Sequence, residues 1–111
     1  VTNVSTGMGC KSEVELLSIT PAVINDPSIT ESVQNIAEEL FPDDTIDNNA
    51  PTMGSEAMAF MMQEIPGCYF FIGSANSNAG LDASHHNPKF DFDERALPKG
   101  AALMTAAVIK L

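Results

Sequence analysis

The sequence predicts an α/β domain, and three observations carry this prediction. Apolar residues recur at helical spacing over Ile29–Leu40, which indicates one amphipathic helix. The short unbroken apolar run Cys68–Ile72 is typical of a strand covered on both faces. Polar and apolar residues alternate over Lys11–Thr20, as in a half-buried strand. Because these strands have no evident partners in the chain, the predicted sheet is incomplete.

Length, charge and cysteine usage narrow the class of protein. The chain has 111 residues, 44% of them apolar, which is enough for one modest core. Fifteen acidic against five basic residues give a net charge of −10, which disfavours nucleic acid and anionic membranes as partners. No apolar stretch approaches the roughly 20 residues that span a bilayer, so we expect a soluble, cytoplasmic chain. Cys10 and Cys68 lack Cys-x-x-Cys spacing and favour a reduced chain.

The N-terminal part predicts the end of one element, then a strand and a helix. Gly7–Cys10 indicates a turn after that first element, and Pro21 ends the strand that follows it. A helix then begins at Ser28, which forms a capping-box pattern with Glu31, or earlier with Asp26 as an alternative cap. The connector between strand and helix therefore predicts a hinge.

The C-terminal part predicts a second helix, a strand, a long loop and a last helix. The second helix covers Ser55–Glu64, with its methionines facing the core. Ser74–Asn87 is a loop rich in Asn, Ser and Gly, and a loop of this length is more often functional than idle. Asp93 can cap the last helix, which continues to Leu111. We expect this helix and the one at Ser28–Leu40 to flank the apolar strand.

Two short motifs contain residue types that carry chemistry. In His85-His86-Asn87-Pro88, a histidine near the end of a loop that leaves a buried strand can reach a site at the sheet edge. The alternative is a hydrogen-bonded loop histidine, and adjacent histidines rarely ligate one ion together. Gly54-Ser55-Glu56 places a carboxylate and free N–H groups at a helix start, although a simple helix cap is the simpler interpretation. From residues alone, the sequence predicts an α/β piece with a candidate ligand histidine.

The order of the motifs resembles a known family. The motifs, read from the sequence, are Pro51-Thr-Met-Gly-Ser-Glu56, Pro66-Gly67-x-Tyr-Phe-Phe-Ile-Gly73, His85-His86-Asn-Pro-Lys-Phe-Asp-Phe-Asp-Glu94 and Ala96-Leu97-Pro98-x-Gly100. Together they resemble the C-terminal end of metal-dependent amidohydrolases of the aminoacylase/carboxypeptidase family, which includes hippurate, auxin-conjugate and aminobenzoyl-glutamate hydrolases. The resemblance covers nearly the whole chain.

The resemblance implies an architecture. Residues 1–22 would be the tail of a lid or dimerisation domain, comprising a helix end and a strand. Residues 23–111 would be the C-terminal segment of a metallopeptidase-like catalytic domain, a mixed sheet flanked by helices. A homo-oligomer is implied as well.

The resemblance also implies site residues. His86, which directly precedes Asn-Pro, would be a metal ligand, and Gly54, Ser55 and Glu56 would line the substrate pocket. Ala57 departs from the family pattern, in which an Asp usually follows the Glu. The role of His85 stays open. The other ligands and the glutamate base would lie outside this chain, which would hold no catalytic residue of its own.

The implied function is hydrolysis of the amide bond of N-acyl amino acids or small peptides. In the parent enzyme, two divalent metal ions, zinc or manganese, would activate water for this reaction. The chain would be a fragment of that enzyme, inactive and without bound metal by itself. Two alternatives are a stand-alone acidic α/β binding module and a small metal-binding protein that uses His86 with Glu56 or Asp82.

Overall fold

Four α-helices connected by long irregular segments make up the chain. The computed structural model describes residues 1–111, with α1 at Thr2–Gly7, α2 at Pro27–Leu40, α3 at Met58–Glu64 and α4 at Ala96–Lys110. A single 3₁₀ turn covers Ser77–Ala79. The molecule is elongated, with extents of 61 × 39 × 19 Å. None of its helices combines the length and apolar character that crossing a membrane requires.

Helix α2 begins at the alternative cap that the sequence offered. The Asp26 carboxylate accepts hydrogen bonds from the backbone N–H groups of Ser28 and Ile29, both at 3.0 Å. Pro27 occupies the first helical position, where its missing N–H costs nothing. Ser28 is therefore inside the helix and is not its cap. The helix ends at Leu40, directly before Phe41-Pro42 as predicted.

The core lies between α2 and α4, the one pair of helices that pack together. Its buried side chains are Val33 and Ile36 of α2 and Leu103 of α4. At the polar rim, Lys110 pairs with Glu39 and Lys99 pairs with Asp44. Because these ion pairs are exposed, they contribute little stability, and the apolar contact holds the two helices together.

The predicted strands do not form, so the mixed sheet is not confirmed. Neither Lys11–Thr20 nor Cys68–Gly73 is a strand, and the only ladder contact is an isolated bridge between Asn76 and Leu81. Strands need neighbours to complete their hydrogen bonds, and this chain supplies no neighbouring strand to either segment. Sequence periodicity indicates which side chains are apolar, but it does not indicate whether an adjacent strand is present to complete the backbone hydrogen bonds.

The segment Cys68–Gly73 nevertheless keeps the side-chain alternation of a strand. Cys68, Phe70 and Ile72 pack against the α2–α4 core, whereas Phe71 is exposed. The rings of Tyr69 and Phe71 contact each other edge to face, with centroids 5.3 Å apart. Both helices thus cover one side of the segment, where the sequence predicted cover on both faces.

Asn25 binds this segment in place of a neighbouring strand. Its side-chain amide donates to the Tyr69 carbonyl at 2.9 Å, and its side-chain carbonyl accepts from the Tyr69 N–H at 2.8 Å. The next N–H, of Asp26, donates to the Gly67 carbonyl at 2.9 Å. A single asparagine therefore connects the start of α2 to the apolar segment.

The N-terminal part leaves its apolar side chains in solvent. Helix α1 ends before Gly9, whose φ of 73° is the left-handed conformation that glycine adopts readily. Leu16 is 92% and Ile19 80% exposed. No hydrogen bond joins residues 11–20 to Cys68–Gly73. The domain division after residue 22 stays a prediction.

Helix α3 is shorter than predicted and its methionines are not all internal. It begins at Met58 instead of Ser55, and no side chain caps its first turn. Met61 is exposed, as is Met53 before the helix, and the buried residue of α3 is Ala59. A stripe of methionines marks an apolar face, but burial needs a surface to cover that face.

Candidate functional site

His86 has the most unusual backbone conformation in the chain. It is the single non-glycine residue with positive φ, at 65°. It lies in the turn Ser84–Asn87, closed by a hydrogen bond from the Asn87 N–H to the Ser84 carbonyl at 3.1 Å. A bulky side chain in this left-handed region costs of order 1–3 kcal/mol, and such strain is concentrated at functional sites.

The two histidines have different surroundings. The His85 ring packs edge-on against Phe90, with centroids 4.9 Å apart, and lies 5.0 Å from the His86 ring. Both side chains are exposed and neither makes a hydrogen bond. His85 has an aromatic packing partner outside the pair, whereas the His86 ring has none beyond His85.

The turn Gly54–Glu56 precedes α3 and does not form its first turn. Gly54 and Ser55 are exposed, and the Gly54 N–H donates to the Thr52 hydroxyl at 3.3 Å. Glu56 is half-buried beside Tyr69, and hydrogen bonding to the Glu56 carboxylate raises the pKa of Tyr69 above its ordinary value near 10. The carboxylate of this turn thus lies close to the Tyr69 side chain. No hydrogen bond connects it to His86.

A groove of about 1060 Å³ opens between α2, α4, residues 44–51 and Cys68–Gly73. Its walls are apolar at Phe41 and Leu103 and polar at Asp44 and Lys99. Neither His86 nor the Gly54–Glu56 turn lines it. This groove is therefore separate from the residues that the motifs select, and it adjoins the core.

The metal-ligand chemistry of this chain is incomplete. A catalytic zinc site usually has three protein ligands, and nowhere does the chain bring together three His, Cys, Asp or Glu residues able to hold an ion. Glu56 and Asp82, the partners considered for a small metal site, are not gathered around His86. His86 fits the role of one ligand, but the residues present do not form a metal site.

Sequence reasoning missed a polar network at the base of the histidine loop. Asp93, expected only as a helix cap, accepts from the Asn76 side-chain amide at 2.7 Å and from the Arg95 N–H at 3.0 Å. Its own N–H donates to the Ser74 carbonyl at 2.8 Å. Hydrogen bonds from Arg95 and then Asn76 hold the pKa of Asp93 well below its usual range. Asp93 lies three residues before α4 and was predicted as its cap, but no side chain caps this helix, and no sequence pattern points to Asn76.

Comparison with known proteins identifies relatives over most of the chain. The family profile described as Peptidase family M20/M25/M40 matches residues 3–110. YhaA of Bacillus subtilis is 34% identical over 89 residues, which are 80% of this chain and 22% of YhaA. No solved structure matches.

Two further relatives have names that state an activity. Thermostable carboxypeptidase 2 of Saccharolobus solfataricus is 31% identical over 92% of this chain and 25% of its own length. IAA-amino acid hydrolase ILR1-like 4 of Arabidopsis thaliana is 34% identical over 75% of this chain and 19% of its own length. The chain therefore spans about a fifth to a quarter of the relatives that it matches.

Proposed function

Because this chain belongs to peptidase family M20/M25/M40, we propose that it forms part of a metal-dependent hydrolase that cleaves the amide bond of N-acyl amino acids or small peptides. The match over residues 3–110 carries this proposal. The relatives' names add a carboxypeptidase and an IAA-amino acid hydrolase, and both names describe attack on a bond to an amino acid.

The structure supports a division of labour in which this chain supplies only part of the site. His86 is exposed, strained and without a hydrogen bond, as suits a side chain that completes its coordination elsewhere. Since His86 does not lie in a group of three residues able to hold a metal ion, the remaining ligands and the general base belong to other parts of the enzyme. The isolated chain is therefore inactive under this proposal.

Gly54, Ser55 and Glu56 are proposed to line the substrate pocket. Two exposed small residues next to a half-buried carboxylate leave room for a substrate and offer backbone N–H groups. The Glu56 carboxylate lies close to the Tyr69 hydroxyl on one side of the turn. Ala57 lacks the carboxylate of the usual Asp, so any orienting role in the turn falls to Glu56 alone.

The unpaired surfaces of the chain support its place in a larger assembly. Leu16, Leu17 and Ile19 are exposed in the N-terminal segment, and Phe71 is exposed beside Tyr69. Apolar surface of this kind marks contact sites. We propose that the N-terminal segment belongs to the lid or dimerisation domain of a homo-oligomer. Light scattering of the isolated chain at high concentration should therefore show association, and a strictly monomeric species would contradict this part.

The test compares the 111-residue chain with a longer natural protein that contains it, assaying metal content and hydrolysis of N-acetyl and N-benzoyl amino acids. In the longer protein, His86→Ala should abolish turnover and release about one equivalent of metal from a two-metal site. His85→Ala is the matched control and should be milder, because the His85 ring packs on Phe90. Unchanged turnover in His86→Ala would mean that the ligand has been assigned to the wrong residue. Tight stoichiometric metal in the isolated chain would favour a small metal-binding protein.

A further inference from the structure

The loop that carries both histidines has little structure of its own. This His86 loop, residues 74–93, contains one 3₁₀ turn and one isolated bridge, and most of its side chains are exposed. None of its residues belongs to the buried core. Long loops with few buried contacts open and fluctuate readily. Presenting His86 at one fixed place therefore requires a restraint from outside the turn itself.

The two ends of the loop are joined by a hydrogen-bonded clamp. At the backbone, the Asp93 N–H donates to the Ser74 carbonyl at 2.8 Å. Between side chains, the Asn76 amide donates to the Asp93 carboxylate at 2.7 Å, and both residues are half-buried. One clamp residue lies two positions into the loop and the other shortly precedes α4. The clamp thus fixes the loop's base to the helix that packs on the core.

All polar groups of Asn76, in the backbone and in the side chain, are hydrogen-bonded. Its backbone N–H and C=O pair with Leu81 at 2.8 and 2.9 Å. Its side-chain oxygen accepts from the Ala79 N–H at 3.3 Å, which leaves the side-chain amide for Asp93. Arg95 also reaches Asp93, but its side chain is 80% exposed, so water competes for that pair. The hydrogen bond between the Asn76 amide and the Asp93 carboxylate is shielded from water, because both residues are half-buried, and it is therefore the contact that holds the loop ends together.

We propose that Asn76 and Asp93 are positioning residues that hold the ends of the His86 loop together and so present His86 in one orientation, an inference that rests on the proposed role of His86. The strained turn at His86 lies between the two clamp residues along the chain. Release of the clamp lets the loop relax, and His86 then occupies its place for only a fraction of the time. Turnover falls with that fraction, whereas substrate affinity changes less, because neither residue lies in the Gly54–Glu56 turn.

The chemistry of the pair allows a swap as the decisive variant. Asn76→Asp places two carboxylates against each other and should open the clamp. Asp93→Asn keeps the shape and should weaken it less. The double variant Asn76→Asp/Asp93→Asn returns a carboxylate and an amide to the two positions. The new carboxylate at position 76 can still accept from the Ala79 N–H, and the new amide oxygen at position 93 can still accept from the Arg95 N–H. The clamp should therefore close again with its direction reversed.

The experiment uses a longer natural protein that contains this chain. Its kcat and KM are measured with the N-acetyl or N-benzoyl amino acid that it hydrolyses fastest. Hydrogen exchange is followed in peptides from the His86 loop and from α2 and α4. Asn76→Asp should lower kcat about tenfold or more while KM changes less than about twofold, since small misplacement of a reacting group is costly. Loop peptides should exchange about tenfold faster while helix peptides do not change. The swap should recover both kcat and loop protection.

Three results would overturn the proposal. Loop exchange and kcat in Asn76→Asp could stay close to the wild-type values. Exchange could speed up equally in the loop and in α2 and α4, which would make the pair a general stabiliser. The swap could fail to recover loop protection. His86→Ala separates this inference from the proposed function: if that variant keeps its turnover, the role of His86 fails, and the exchange data alone still decide whether Asn76 and Asp93 hold the loop.

Discussion

Removing the Asn25 side chain tests whether one asparagine replaces a missing strand. Asn25→Ala deletes two hydrogen bonds to the Tyr69 backbone, at 2.9 and 2.8 Å, and no other residue is bonded to those two groups. Each such bond has a net value of about 0.5–1.5 kcal/mol, so the variant should lose about 1–3 kcal/mol of unfolding free energy. Asn25→Asp keeps an acceptor for the Tyr69 N–H but loses the donor to its carbonyl, so it should cost at least half as much.

Urea unfolding followed by circular dichroism measures the loss, and amide exchange of Tyr69 locates it. The matched control is Asn35→Ala on α2, whose side chain is exposed and makes no hydrogen bond. It should change stability by no more than about 0.5 kcal/mol, in the stabilising direction, because Ala is the better helix former. Equal urea midpoints for Asn25→Ala and Asn35→Ala, together with unchanged amide exchange at Tyr69, would refute the reasoning. The two hydrogen bonds from the Asn25 side chain to the Tyr69 backbone would then contribute nothing measurable.

Three further measurements test the core, the strained turn and the Glu56 contact. Leu103→Ala should lower the free energy of unfolding in urea by about 2–3 kcal/mol, which is the lower part of the usual range because Leu103 also borders the groove. The control Leu97→Ala, at an exposed position, should change it by no more than about 0.5 kcal/mol. Equal losses in the two variants would contradict the assigned core. His86→Gly should be more stable than His86→Ala by about 1 kcal/mol, because only the first relieves the left-handed backbone; the reverse order would remove the evidence for strain. Tyr69 is the single tyrosine, so its phenolate absorbance should titrate above the ordinary pKa near 10, and its pKa should return toward that value in Glu56→Gln. The stability that comes from the Glu56–Tyr69 interaction is present below the ordinary pKa and is lost as the pH rises through the raised pKa of the folded state. An unshifted titration would place Glu56 elsewhere.

The sequence predicted the positions of α2 and α4 well because their signals are local. Asp26-Pro27 caps α2 through bonds only two and three residues away, and Pro42 ends the same helix. The helical period of Val33 and Ile36 correctly placed both in the core. Family membership was predictable too, since it depends on the order of motifs along the chain and the family profile matches residues 3–110. These features need no knowledge of what lies across the fold.

What the tertiary structure decided is how distant residues meet. Apolar alternation over Cys68–Ile72 predicted a strand, but the structure binds this segment through a single asparagine, because a ladder requires a neighbour that periodicity cannot supply. Asn76 and Asp93 are joined across a loop whose length indicated a functional segment but not this contact. The sequence by itself determined which residues carry apolar faces, caps and a candidate ligand at His86. Only the fold decided that His86 is strained and exposed, because backbone conformation and burial depend on contacts between residues far apart in the chain.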